Sequence, residues 1–174
     1  VSDTREQFEH VYQENYEAVQ RYVARRVAPE AIQDVVSDTF LAAWRRYADL
    51  RGEPTPWLLG IARRTAANHR RSGSRRAALR ERLGTEQRHV PSAGLDDRDP
   101  RLAAALATLP DRDREALLLV AWDGLEHHVA ATVMGCSTGA FTVRLHRARR
   151  RLEHALQGDE RSPIDVTQEA RSLP

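Results

Sequence analysis

Apolar residues recur every three or four positions through the first part of this chain, and they never alternate there. Phe8, Val11, Tyr12, Tyr16, Val19 and Val23 fall on one stripe, which predicts an amphipathic helix that Pro29 interrupts. Ile32, Val35, Val36, Thr39, Phe40, Ala43 and Trp44 form a second stripe. On its far side stand Asp34 and Asp38, four apart and therefore neighbours on a helix surface. Arg51-Gly52-Glu53-Pro54 reads as a loop, with Thr55 as an N-cap and Pro56 in the first turn of a third helix. That helix carries Trp57, Leu58, Ile61, Ala62 and Thr65 and is expected to end in Asn68-His69-Arg70-Arg71.

From Ser72 to about Arg98 the pattern changes. Gly73, Gly84, Pro91 and Gly94 punctuate a polar stretch that reads as a linker, with one short helix around Ala77–Leu83. Asp99-Pro100 is a cap followed by a first-turn proline, and Leu102, Ala105, Leu106 and Leu109 make the next stripe. Pro110 opens a helix ending near Trp122, and Gly124 marks a turn. A short helix, about Glu126–Met134, then meets Gly135-Cys136-Ser137, and a long helix starts near Thr138. Short helix, glycine turn and long helix form a helix-turn-helix pattern. Phe141, Leu145, Ala148 and Leu152 supply its packing stripe, while Thr142, Arg144, His146, Arg147, Arg150 and Arg151 point elsewhere. Such a helix packs by one side and offers the other to a major groove.

The fold expected is all-α: two small helical domains joined by a flexible linker, the second a four-helix domain with a helix-turn-helix. The boundaries expected are 1–72, a linker over 73–98, 99–156, and a disordered tail over 157–174.

Charge sharpens this picture. All 27 cationic residues are arginine, and the formal net charge is only +2. The charge is segregated, however. Residues 1–56 hold seven arginines against ten acids (−3), and 57–82 hold eight against Glu81 alone (+7). Residues 139–156 hold five against Glu153 alone (+4). Two basic segments in a near-neutral chain fit two contacts on a polyanion, and they equally fit two solvated helix faces. Cys136 is the single cysteine, so no internal disulfide forms. No apolar run approaches the roughly 20 residues of a membrane span. The first residues show no signal-peptide pattern, so a cytoplasmic protein without membrane insertion is expected.

Two segments carry a resemblance. Asp34-Val35-Val36-Ser37-Asp38-Thr39-Phe40-Leu41-Ala42-Ala43-Trp44, followed by Trp57-Leu58-Leu59-Gly60-Ile61-Ala62-Arg63-Arg64, resembles the docking and minus-ten helices of extracytoplasmic-function sigma factors of the sigma-70 family. Leu109-Pro110, Arg114-Glu115, Gly124-Leu125 and Gly139 through Arg150 are similar to that family's minus-thirty-five segment. The order and spacing are also the family's. The resemblance implies an alternative RNA polymerase sigma factor that binds core polymerase, recognises promoter DNA and helps open it. It places Asp34, Asp38 and Leu41 on the polymerase. It places Arg51, Gly52 and Glu53, in the loop that captures an unstacked base, with Arg63, Arg64 and Asn68 on the minus-ten side. Thr142, Val143, His146 and Arg147 then lie nearest base edges, and Arg144, Arg149 and Arg150 hold phosphates or brace the helix. The implied partners are core RNA polymerase and both double-stranded and locally melted promoter DNA, with room for an anti-sigma factor. Departures such as Glu126 at a usual serine cap, and Ala140-Phe141-Thr142 in the reading helix, leave promoter preference open.

Two rivals remain in view. A helix-turn-helix regulator that is no polymerase subunit explains residues 110–156 and leaves the first domain unused. An enzyme is disfavoured: Glu126-His127-His128 lacks the spacing of H-E-x-x-H, and adjacent histidines on a helix point about 100° apart. No metal, cofactor or catalytic residue is expected.

Overall fold

In the computed structural model the described residues are 2–82 and 99–159, with side chains over 3–73 and 99–157, and among them there are seven α-helices and no strand. The helices are α1 (Ser2–Ala24), α2 (Ile32–Arg45), α3 (Pro54–Arg82), α4 (Pro100–Thr108), α5 (Asp111–Ala121), α6 (His127–Met134) and α7 (Thr138–Asp159).

The first three pack as a bundle. Val11, Val19, Tyr22 and Val23 of α1 meet Val35, Val36 and Phe40 of α2 and Leu58, Ile61 and Ala62 of α3. Between α1 and α2 the chain must leave the helix before Pro29, and Ala28 is extended, as a residue ahead of proline prefers. Thr39 is fully buried yet satisfied, because its hydroxyl donates to the Val35 carbonyl one turn back. Buried Asn15 donates to the Val11 carbonyl and accepts from the Thr55 hydroxyl at 2.5 Å. Thr55 therefore ties α3 to α1 and is not the expected cap; α3 already begins at Pro54. Trp44, expected in the core, is 43% exposed and meets Phe8 edge-on.

Helix α3 runs to Arg82 instead of ending by Arg71, so residues 73–82 of the expected linker are helical. A glycine inside a helix costs only about 1 kcal/mol, and the alanines and arginines after Gly73 are strong helix formers. The rest of the expected linker, 83–98, and the tail from 160 lie outside the described residues.

The second half is capped as its sequence indicates. The Asp99 side chain accepts from the Arg101 and Leu102 amides, and Pro100 occupies the first turn. Gly124 and Gly135 both take φ +66°, the left-handed region that favours glycine. In the second of these turns the Cys136 amide donates to the Ala131 carbonyl, and the Ser137 hydroxyl accepts from the Ala140 amide to start α7. Phe141, Leu145 and Ala148 are buried to 1% exposure or less, against α5 and α6. Helix α7 extends to Asp159, past the expected domain end at 156.

The two halves share one continuous apolar core, with α3 lying against α6. At Gly60 an added Cβ would sit 3.5 Å from the Val133 carbonyl oxygen, so the backbones approach closely there.

Candidate nucleic-acid and protein interfaces

Helix α7 presents the first candidate surface. Its apolar stripe is spent on packing, which leaves Thr142, Val143, His146, Arg147, Arg149 and Arg150 exposed on one solvent-facing side. Val143 is 52% exposed, an apolar spot of the kind that meets a thymine methyl group. Arg144 is only half-exposed and lies 3.7 Å from an Asp113 oxygen. Asp113, on α5 and 5% exposed, also pairs with Arg151. One buried carboxylate thus ties the reading helix to α5 at two points seven residues, or about two turns, apart along α7. Sequence periodicity marked neither arginine as a partner of Asp113.

The second surface lies on α2, where Asp34, Asp38 and Leu41 are all exposed and Leu41 is 47% accessible. Asp38 and Leu41 share an open groove of about 440 Å³ with Asn68 of α3, so the acidic face and one expected minus-ten residue border the same depression. Before α3, Gly52 takes φ +75° and has open space around it. Arg51 folds back, donating from Nη1 to the Ala48 and Leu50 carbonyls at 2.7 and 2.9 Å. Glu53 is exposed.

The remaining minus-ten residues divide. Arg64 and Asn68 face solvent, and Asn68 accepts from Arg71 at 2.6 Å. Arg63 is half-buried and donates from Nε to the Val133 carbonyl of α6 at 3.2 Å. In this arrangement the second half occupies Arg63.

Sequence reasoning missed the cluster that joins the halves. Arg26, 3% exposed, donates from Nε to both Glu115 oxygens at 3.1 and 3.2 Å, and from Nη2 to Asp123 at 2.6 Å. Its Nη1 donates to the Tyr22 carbonyl, and its guanidinium carbon sits 3.5 Å from the Tyr22 ring centroid. Arg25 adds bonds to Asp123 and to the Trp122 carbonyl. Burial works against charge on Arg26, but the Tyr22 oxygen, Glu115 and Asp123 outweigh it and lift the pKa above the ordinary guanidinium range. Burial raises the Tyr22 phenol well above 10, with Arg26 opposing and Glu115 adding to the rise. Glu115 belongs to the Arg114-Glu115 motif, but its partner stands 89 residues away, beyond the reach of local patterns.

Among the described residues no group of three His, Cys, Asp or Glu is placed to hold a metal ion, and no helix is long and apolar enough to cross a membrane.

Comparison with known proteins gives matches to both halves. Residues 11–76 match the family model of sigma-70 region 2, and residues 100–152 match that of sigma-70 region 4. The chain is 34% identical over 157 residues to a probable RNA polymerase sigma-C factor of Mycobacterium bovis, covering 86% of this chain and 80% of that one. It is 31% identical over 140 residues to an RNA polymerase sigma-H factor of Pseudomonas aeruginosa, covering 72% of each. Among solved structures it is similar to the sigma factor RpoE of Bartonella quintana, in complex with the anti-sigma factor NepR. That match has a TM-score of 0.61 and 25% identity, over 91% of this chain and 99% of the other. CnrH in complex with the cytosolic domain of CnrY is similar at a TM-score of 0.59 and 27% identity, over 89% and 90%.

Proposed function

The chain belongs to the sigma-70 family, in its extracytoplasmic-function branch, and on that premise we propose how its surfaces divide the work of a sigma subunit. It is an alternative sigma factor: it binds core RNA polymerase, recognises promoter DNA and helps open it for initiation. The family is not an enzyme family.

The residue roles follow from exposure and charge. Asp34, Asp38 and Leu41 dock on polymerase, joining an apolar contact to two charges that fix register. The 51–53 loop, with Arg64 and Asn68 farther along α3, takes the minus-ten side, and Arg63 joins them once α6 leaves it. Extruding a base costs a few kcal/mol, which a pocket on that side has to offset. Helix α7 reads the minus-thirty-five element through Thr142, Val143, His146 and Arg147, while Arg149 and Arg150 hold phosphates. Arg144, beside Asp113, braces the helix. Two functional units, 1–72 and 99–156, carry these tasks. The protein works in the cytoplasm, and an anti-sigma factor is a partner of the kind seen with RpoE.

One observation carries this division: an acidic docking face on α2 and a basic reading face on α7 both point to solvent in the same chain. A helix-turn-helix regulator leaves the whole α1–α3 bundle without a task. Reconstitution with core polymerase lacking any other sigma factor tests the reading. Transcripts from sheared genomic DNA are expected, and their absence at saturating protein overturns it.

A further inference from the structure

We propose that Asn15, buried inside the α1–α3 bundle, is a positioning residue for base capture, holding the exit of the 51–53 loop in place through its hydrogen bond with Thr55; the capture part rests on the minus-ten reading above.

Asn15 stands at a core position. It lies four residues after Val11 and four before Val19, both buried, and is itself only 5% exposed. Asparagine is a poorer helix former than leucine or alanine, and burying its carboxamide is unfavourable unless the polar atoms are paired. Both ends are paired here. Nδ2 donates to the Val11 carbonyl at 2.8 Å, and Oδ1 accepts from the Thr55 hydroxyl at 2.5 Å. The other buried polar side chains of the bundle are used differently: Thr39 bonds within its own helix, and Arg26 reaches Glu115 of α5. Among the described residues, Asn15 is therefore the buried polar side chain that joins one helix of the bundle to another. Apolar packing is non-directional, whereas a satisfied buried hydrogen bond specifies one placement of its partners.

What this bond places is the exit of the loop. Thr55 is the second residue of α3 and follows Glu53 by two positions. Pro54 and Pro56 flank it with fixed φ, and Pro54 disfavours helical backbone at Glu53. Once Thr55 is anchored, little freedom is left there. The loop's entry is fastened separately, by the two bonds from Arg51 to the Ala48 and Leu50 carbonyls and by the Leu50 amide on the Tyr47 carbonyl at 3.1 Å. Only Gly52 and Glu53 lie between these fastenings. A Cβ added at Gly52 would meet nothing within 4 Å, so the loop is open on that side.

Base capture needs such a loop. Extruding a base is already unfavourable, and a pocket that had to be ordered at the same moment would hold it less well. Asn15 touches no DNA; it acts through Thr55 by keeping the loop in its binding shape beforehand.

Three variants of the full chain, each assembled with core polymerase, test this on a promoter bubble whose minus-ten strands are mismatched. Thr55→Val removes the hydroxyl and keeps the shape, and Thr55→Ser keeps the hydroxyl. Asn15→Leu/Thr55→Val replaces both polar partners by apolar groups, which leaves no buried group unpaired and is near neutral for folding. All three should bind core polymerase as the unaltered chain does. Thr55→Val and the double variant should bind the bubble at least about fivefold more weakly, the worth of one hydrogen bond, and Thr55→Ser should restore most of the loss. The deciding template carries an abasic nucleotide at the nontemplate position whose base the unaltered complex needs most. With no base to capture, the unaltered chain and the two weakened variants should bind it alike. Equal binding of every variant to the intact bubble overturns the proposal, as does a Thr55→Ser chain as weak as Thr55→Val. A loss of the same size on the abasic bubble also overturns it, because the bond would then serve only the fold. If no abasic substitution weakens the unaltered complex, the base-capture reading itself fails and the proposal falls with it.

Discussion

The Tyr22 hydroxyl donates to a Glu115 carboxylate oxygen at 2.6 Å while the Tyr22 ring lies beneath the Arg26 guanidinium. Removing only the hydroxyl, in Tyr22→Phe, leaves the ring contact and strips one donor from a buried carboxylate. The expected cost is about 1–2 kcal/mol in urea unfolding at pH 8. The sign with pH follows from the phenol's raised pKa. The packed state favours the neutral form, so Tyr22's contribution is complete below about 10 and fades as pH rises towards the folded value. Wild type should therefore lose stability between pH 9 and 11 more steeply than Tyr22→Phe; parallel curves would contradict the assignment.

Asp113→Asn keeps the shape of the side chain and removes the charge that holds Arg144 and Arg151. Charge-assisted bonds of this kind are worth about 1.5–3 kcal/mol, and a loss in that range is expected. DNA affinity of the variant should fall as well, because α7 loses its tie to α5. Hydrogen exchange along α7 should rise ahead of exchange in α1 and α2. A variant with native stability and native DNA affinity would show the tie to be idle.

Gly135 takes φ +66° with no atom within 4 Å of an added Cβ, so any cost of substitution is backbone strain alone. Gly135→Ala is expected to cost about 1–2 kcal/mol and Gly135→Asn less, since asparagine tolerates the left-handed region. Equal thermal midpoints for the two variants would show that the turn relaxes.

These residues also mark what local pattern conveys. The Asp99 cap, the glycine turns and the α7 stripe are set by neighbours within a few positions, and each was legible from residue type and spacing. The continuation of α3 past Gly73 was not, because a helix tolerates one glycine and its glycine, serines and arginines also suit a loop. Thr55 looked like a cap because its offset from Pro56 suits one; its hydroxyl instead meets Asn15, 40 residues earlier. Arg26 had no signal at all. Its partners lie 89 and 97 residues away, and an arginine on a polar helix face reads as solvent-exposed until the other half is in place.

Reversing both charges on the α2 face, Asp34→Arg with Asp38→Arg, should weaken binding to core polymerase by at least about tenfold. Both side chains are exposed, so helicity and thermal stability should hold. Titration of a labelled chain with core polymerase reads the effect. Raised salt should narrow the gap between variant and wild type, because exposed charges are screened. Unchanged affinity would move the docking surface elsewhere.

Arg147 and Arg150 both stand exposed on α7, and they separate base reading from phosphate holding. The helix packs through Phe141, Leu145 and Ala148, so its orientation survives loss of either arginine. Among the described residues neither is paired as Arg144 is with Asp113, so truncation should change DNA contact and little else. A side chain that forks onto a guanine edge contributes at one base pair. Arg147→Ala should therefore cost about 1–3 kcal/mol on the preferred site and much less on a site altered at that position. A side chain on phosphate contributes the same amount to every sequence. Arg150→Ala should weaken all sites alike and flatten the slope of log affinity against log salt by about one unit. Binding of the sigma–polymerase complex to a panel of singly altered promoters at three salt concentrations distinguishes the two. Uniform loss in both variants makes Arg147 a phosphate clamp, and native binding in both removes α7 as the reader.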